Sequence, residues 1–75
     1  MIAQRLLPRS LRGRLLAALM TLPDTRREVL LLHDLEGWKH EEIAELMALP
    51  AGTVRSHLHH ARRAMRAALE GLDDE

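Results

Sequence analysis

The chain has 75 residues, enough for one domain and no second core, and a domain this small buries only about 60% of its unfolded surface. It has no cysteine, which excludes disulfides and cysteine-based zinc sites, and its one aromatic ring, Trp38, argues against an RNA or single-strand platform of stacked rings. Eleven basic and eleven acidic residues cancel, but they are segregated: no acid lies between Met47 and Leu69, where Arg55, Arg62, Arg63 and Arg66 stand among His57, His59 and His60. Such segregation makes a local positive field within a neutral molecule.

Pro8, Pro23 and Pro50 punctuate the chain together with Gly13, Gly37, Gly52 and Gly71. Residues 1–9 show no clear period and are expected to form a flexible arm. Ser10 can cap a first helix whose stripe is Leu11, Leu15, Leu19 and Leu22. Pro23 suits the first position of a second helix, and Asp24 and Glu28 favour its positive end. Its inward face reads Val29, Leu32 and Leu35, and Gly37 is a natural left-handed stop. A third, short helix is predicted from about His40 to Met47, burying Ile43, Leu46 and Met47. Ala48-Leu49-Pro50 has room only for a tight turn.

The fourth helix is predicted from about Ala51 to Leu69. Val54, Leu58, Ala61, Met65 and Leu69 follow a 4-3-4-4 spacing and share one face. At ~100° per residue, Ser56, His59, His60 and Arg63 point the opposite way, with Arg55 and Arg66 on the flank. The fold expectation is therefore an all-α, four-helix domain over residues 10–72, with a helix-turn-helix at about 39–60 and an acidic tail at 73–75.

A short helix, a tight turn and a second helix can set one helix in the major groove while the other crosses the backbone. On this reading Gly52 and Thr53 offer backbone N–H groups and a hydroxyl to a phosphate. Arg55 and Arg63 can pair with phosphates or with guanine O6 and N7, and Ser56, His59 and His60 can approach base edges.

The stretch Leu22 to Ala67 resembles region 4 of the sigma-70 family, particularly the short extracytoplasmic-function sigma factors. The matching pieces are LPDTRREVLLLHDLEG (Leu22 to Gly37), EEIAELM (Glu41 to Met47) and LPAGTVRSHLHHARRAM (Leu49 to Met65). In that family the domain recognises the −35 promoter element in the major groove and docks on the flap tip of the RNA polymerase β subunit, and anti-sigma proteins often mask it. The resemblance implies that Arg55, Ser56, His59 and His60 make base and nearby backbone contacts. It implies further that His33, His40 and Glu41 approach the DNA edge, and that apolar surface around the second helix meets a protein partner. It also implies that the family's region 2, which opens the −10 element, has no counterpart here, so the chain is not expected to start transcription alone.

Three departures from the family stand out. His57 and His60 occupy positions where arginine is usual. Lys39 replaces the common Ser or Thr cap of the third helix, a loss of about 1 kcal/mol. Ala48 replaces the usual turn glycine, where a left-handed conformation is strained by about 1 kcal/mol or somewhat more. Together they imply lower stability or altered promoter preference within an unchanged fold.

All five histidines fall on the side expected to face DNA. Neighbouring phosphates favour their charged form, so affinity is expected to rise as pH falls from about 8 to 6. His57 and His60 are three residues apart, but no third ligand is fixed by the spacing, and neither a metal nor a cofactor is expected. Trp38 is expected to plug a junction between helices. The longest apolar run, Leu15 to Met20, has six residues, far short of the ~20 of a membrane helix. No charged-then-apolar leader is evident either, so a cytoplasmic location without membrane contact is expected.

Among rival readings, a LuxR-type DNA-binding domain shares the Val-x-x-His-Leu pattern of Val54 to Leu58. That class adds a further helix after the recognition helix, for which the ending Gly71 to Glu75 leaves no room. A sigma-like module whose business is capture by an anti-sigma protein would share the fold and differ in binding no DNA. An enzyme is not expected: there is no glycine-rich phosphate loop and no serine–base arrangement on a strand.

Overall fold

The computed structural model describes residues 9–70. Its α-helices are α1 (Arg9–Thr21), α2 (Asp24–Leu30), α3 (His40–Met47) and α4 (Ala51–Glu70), and a π-helical turn, Leu31–Leu35, prolongs α2. Among the described residues there is no strand, so the all-α, four-helix expectation holds. The arm expected over residues 1–9, Arg9 apart, lies outside the described residues. So do the last two residues of the 10–72 domain and the acidic tail at 73–75.

The first junction is built around one arginine. α1 begins at Arg9, so Ser10 lies inside its first turn instead of capping it. Pro23 caps α2 without joining it: its ψ of 149° is not helical, yet its carbonyl accepts the N–H of Arg27 at 3.0 Å. The Arg27 side chain then reaches back to the frayed end of α1. Its Nε donates to the Leu19 carbonyl at 3.0 Å, and its Nη2 to the carbonyls of Met20 and Leu22 at 3.3 and 2.9 Å. The last carbonyls of a helix have no partner within it, and one guanidinium meets two of them here, those of Leu19 and Met20, together with the Leu22 carbonyl just beyond the helix.

The core consists of Leu22, Val29, Leu30, Ile43, Val54, Leu58 and Ala61, with Val29, Ile43 and Val54 fully enclosed. Trp38, Leu19, Leu32, Met47 and Leu49 pack partly buried around it, so Trp38 does fill a helix junction. Its Nε1 stays in reach of the Glu36 carboxylate at 3.2 Å.

Three expected core positions are exposed instead. Leu35 is 78% exposed, because successive three-residue steps from Val29 precess by ~60° each, and Leu30 takes the second core place. Leu46 is 58% exposed; α3 turns Ile43, Ala44 and Met47 to the core, leaving Leu46 at the margin. Leu69 is 41% exposed, since the two four-residue steps after Ala61 rotate it by ~80°.

The π turn closes with Glu36 N–H donating to the Leu31 carbonyl at 3.2 Å, five residues back. Gly37, at φ +77°, donates to His33, and Trp38 to Leu32, at 3.1 and 3.0 Å. This is a Schellman-type stop widened by one residue. It leaves His33 and Asp34 beside the start of α3 and the flank of α4.

Candidate nucleic-acid interface

The start of α3 is only half capped. The N–H of Lys39 donates to Glu42 Oε1 at 2.8 Å. The reciprocal half of a capping box requires an acceptor on the cap side chain, and lysine has none. Glu41 and Glu42, exposed in the first turn, favour the positive end of the helix.

Three residues set the angle between α3 and α4. Ala48 adopts φ 57°, ψ 45°, the left-handed conformation expected to be strained there. Its N–H donates to Glu45 at 3.4 Å and that of Leu49 to Ala44 at 2.9 Å, a regular Schellman closure. The Pro50 carbonyl then accepts from Thr53 and Val54 at 3.0 and 3.1 Å and so opens α4. Of the two amides expected to greet a phosphate, that of Thr53 is thus already engaged. Gly52 is exposed and Thr53 half-buried.

α4 turns Val54, Leu58 and Ala61 inward and exposes Arg55, Ser56, His59, His60 and Arg63. The His59 and His60 rings meet edge to face at 5.5 Å between centroids. His60 titrates below the usual 6.5, through loss of hydration first and then the positive charge of Arg26, His59, Arg63 and His57. The positive charge beside it adds to the larger effect of lost hydration.

His33 and His40 are half-buried and stacked, with centroids 4.9 Å apart and planes inclined by 13°. Behind them Asp34 accepts from Arg62 Nη2 at 2.5 Å and Nε at 3.2 Å, and its Oδ1 lies 2.8 Å from His33 Nδ1. The Arg62 hydrogen bonds hold the Asp34 carboxyl below its ordinary 3.8, against a smaller opposing effect of burial. The same pairing raises Arg62. His40 Nε2 is buried and has no hydrogen-bond partner.

His40, Arg55 and His59 therefore converge, together with Arg62 and Arg66, around a concavity of about 260 Å3 floored by Leu58. Ser56, His60 and Arg63 lie on the outward side of α4, and His33 stands behind His40. Neither Arg62 nor Arg66 is among the expected site residues. Arg55, His59, Arg62 and Arg66 nevertheless repeat at 4-3-4, one position after the core stripe, and that periodicity is visible in the sequence. The pairing of Arg62 with Asp34, 28 residues away, carries no such signal.

A second hollow, about 440 Å3 and mostly apolar, lies between Leu19, Leu30, Leu31, Leu35, Met65 and Leu69, with Asp34, Arg62 and Arg66 on its rim.

Two short-linked helices, the second with an exposed basic face, define a helix-turn-helix domain. The family profile of sigma-70 region 4 matches residues 12–65, and the chain belongs to that family. It is 45% identical over 51 residues to the RNA polymerase sigma-H factor of Pseudomonas aeruginosa, an alignment covering 68% of this chain and 26% of that protein. With the ECF RNA polymerase sigma-E factor of Escherichia coli K12 it shares 38% over 67 residues, 89% of this chain and 35% of that protein. With that of Haemophilus influenzae it shares 39% over 51 residues, 68% of this chain and 27% of that protein. The chain thus spans about a quarter to a third of the length of the curated relatives it matches. Among the described residues, no helix is long and apolar enough to cross a membrane.

Proposed function

We propose that this chain is the −35-reading domain of an alternative sigma factor: it binds duplex promoter DNA and helps direct RNA polymerase to it, and it is not itself an enzyme. The observation that carries the reading is the solvent-facing side and flank of α4, away from Val54, Leu58 and Ala61, where Arg55, Ser56, His59, His60 and Arg63 are all exposed and no carboxylate intervenes. With α4 in the major groove, Arg55 and Arg63 contact phosphates or guanines, and Ser56, His59 and His60 contact base edges. Gly52, Thr53, His40, Glu41 and His33 border the backbone on either side. The domain spans residues 10–72, with its helix-turn-helix at about 39–60, and acts in the cytoplasm.

Protein partners belong on a different face. The apolar hollow around Leu31, Leu35 and Leu69, with the exposed Leu46 beyond it, supports docking of the polymerase β flap, or of an anti-sigma protein that masks the domain.

The deciding experiment selects bound duplexes from a random pool and titrates the winner by fluorescence anisotropy. A preferred −35-like motif is expected, with affinity falling in salt at a log–log slope of about −0.9 per phosphate neutralised and weakening on Arg55→Ala. No enrichment, with Arg55→Ala neutral, would leave only a protein-interaction module.

A further inference from the structure

The 440 Å3 apolar hollow beside α4 is left open on one side and unbalanced in charge. Leu35, 78% exposed, and Leu69, 41% exposed, both line it, with Leu31 and Met65. Arg62 and Arg66 edge the same hollow. Asp34 engages Arg62, whereas Arg66 is exposed and, among the described residues, no carboxylate pairs with it. The occupant this surface suits is an apolar side chain followed closely by anions.

The chain itself carries such a run. Directly after Glu70, the last residue of α4, come Gly71, Leu72, Asp73, Asp74 and Glu75. Carboxylates just past a helix end meet its negative pole, and the last turn of α4 holds no basic residue to offset them. Arg66 and Arg62, one and two turns back, offer that offset. Glycine directly after a helix takes the left-handed conformation that reverses the chain at no steric cost. α4 rises ~12 Å from Arg62 to Glu70, and five extended residues span up to ~17 Å, so the run is long enough to reach the whole rim.

We propose that residues 71–75 fold back over this hollow in the free chain, with Leu72 seated against Leu35 and Leu69 and with Asp73 and Asp74 on Arg66. The tethered run is favoured over a second copy of the chain because its effective concentration is high however dilute the protein. Its charge is also opposite to that of the rim it meets. The face offered to a protein partner is then covered by the chain itself, and a partner must displace Leu72 to dock. This self-masking goes beyond the DNA-binding reading and does not depend on it.

The test is methyl NMR on the whole 75-residue chain without DNA. At about 10 mM ionic strength, nuclear Overhauser cross-peaks are expected between the methyls of Leu72 and Leu35, two residues that no helical period connects. They should be lost in the double variant Asp73→Asn/Asp74→Asn, and lost likewise at about 1 M salt, where charges are screened beyond ~3 Å. The methyl shifts of Ile43 and Val54, both fully enclosed, should stay unchanged and so show that the variant is folded. Leu72 cross-peaks confined to residues of α4 would overturn the seat. So would Leu72–Leu35 cross-peaks that survive the double substitution. Neither result bears on DNA binding, which the duplex selection above decides separately.

Discussion

Asp34 Oδ1 lies 2.5 Å from Arg62 Nη2, joining the π turn to α4 across 28 residues of sequence. The contact is two-pronged, with Nε on the second oxygen, and it keeps the carboxyl ionised to lower pH than usual.

Removing that charge tests the link. Because Asp34 is depressed in the folded chain, its stabilisation is present above its ordinary 3.8 and is lost as pH falls through its folded value. Both partners are partly exposed, so Asp34→Asn should cost about 0.5 kcal/mol near neutrality. Urea melts at pH 7 and at pH 2.5 should show the difference shrink at the lower pH. An equal difference at both would mean that packing, not charge, joins the two elements.

Ala48 holds a left-handed conformation that glycine adopts freely, and its side chain is exposed, so little packing is lost on removing the methyl. Ala48→Gly should raise stability by about 1 kcal/mol, or roughly 4–8 °C in Tm for a domain of this size. A fall in Tm would show that the turn tolerates alanine without strain.

Arg27 makes its three carbonyl bonds through a forked group that lysine cannot copy. Arg27→Ala and Arg27→Lys should both destabilise the chain by about 1–2 kcal/mol. Chemical denaturation reads this directly. Rescue by lysine would assign the effect to charge alone.

His60 is disfavoured as a cation in the free chain, and a phosphate nearby favours it. Binding then takes up a proton, so affinity increases as pH drops from about 8 to 6. Titrations at fixed salt should show this trend, with a smaller one for His60→Asn. Parallel pH profiles for the two proteins would remove His60 from the contact.

The order of helices, the short turn before α4 and the polarity of its two faces follow from spacing, because a 3.6-residue period and a proline leave few alternatives. The strain at Ala48 and the missing cap acceptor at Lys39 are likewise visible from the bare chain, once residues are set against a family pattern. What escapes is long-range or fine-grained. The reach of Arg27 over a helix end and the grip of Asp34 on Arg62 join residues whose separations carry no period. Leu35, Leu46 and Leu69 fail for another reason: an apolar residue ~60–120° off the core direction still fits a stripe on paper, yet finds no neighbour to cover it.

Arg62 and Arg66 border both the basic concavity and the greasy hollow behind it. The two faces are separated by little more than the thickness of a side chain. On the proposed reading, a protein seated against Leu35 and Leu69 would press on the side chains of Arg62 and Arg66, so partner docking and DNA binding would meet along one ridge of α4 without competing for the same ground.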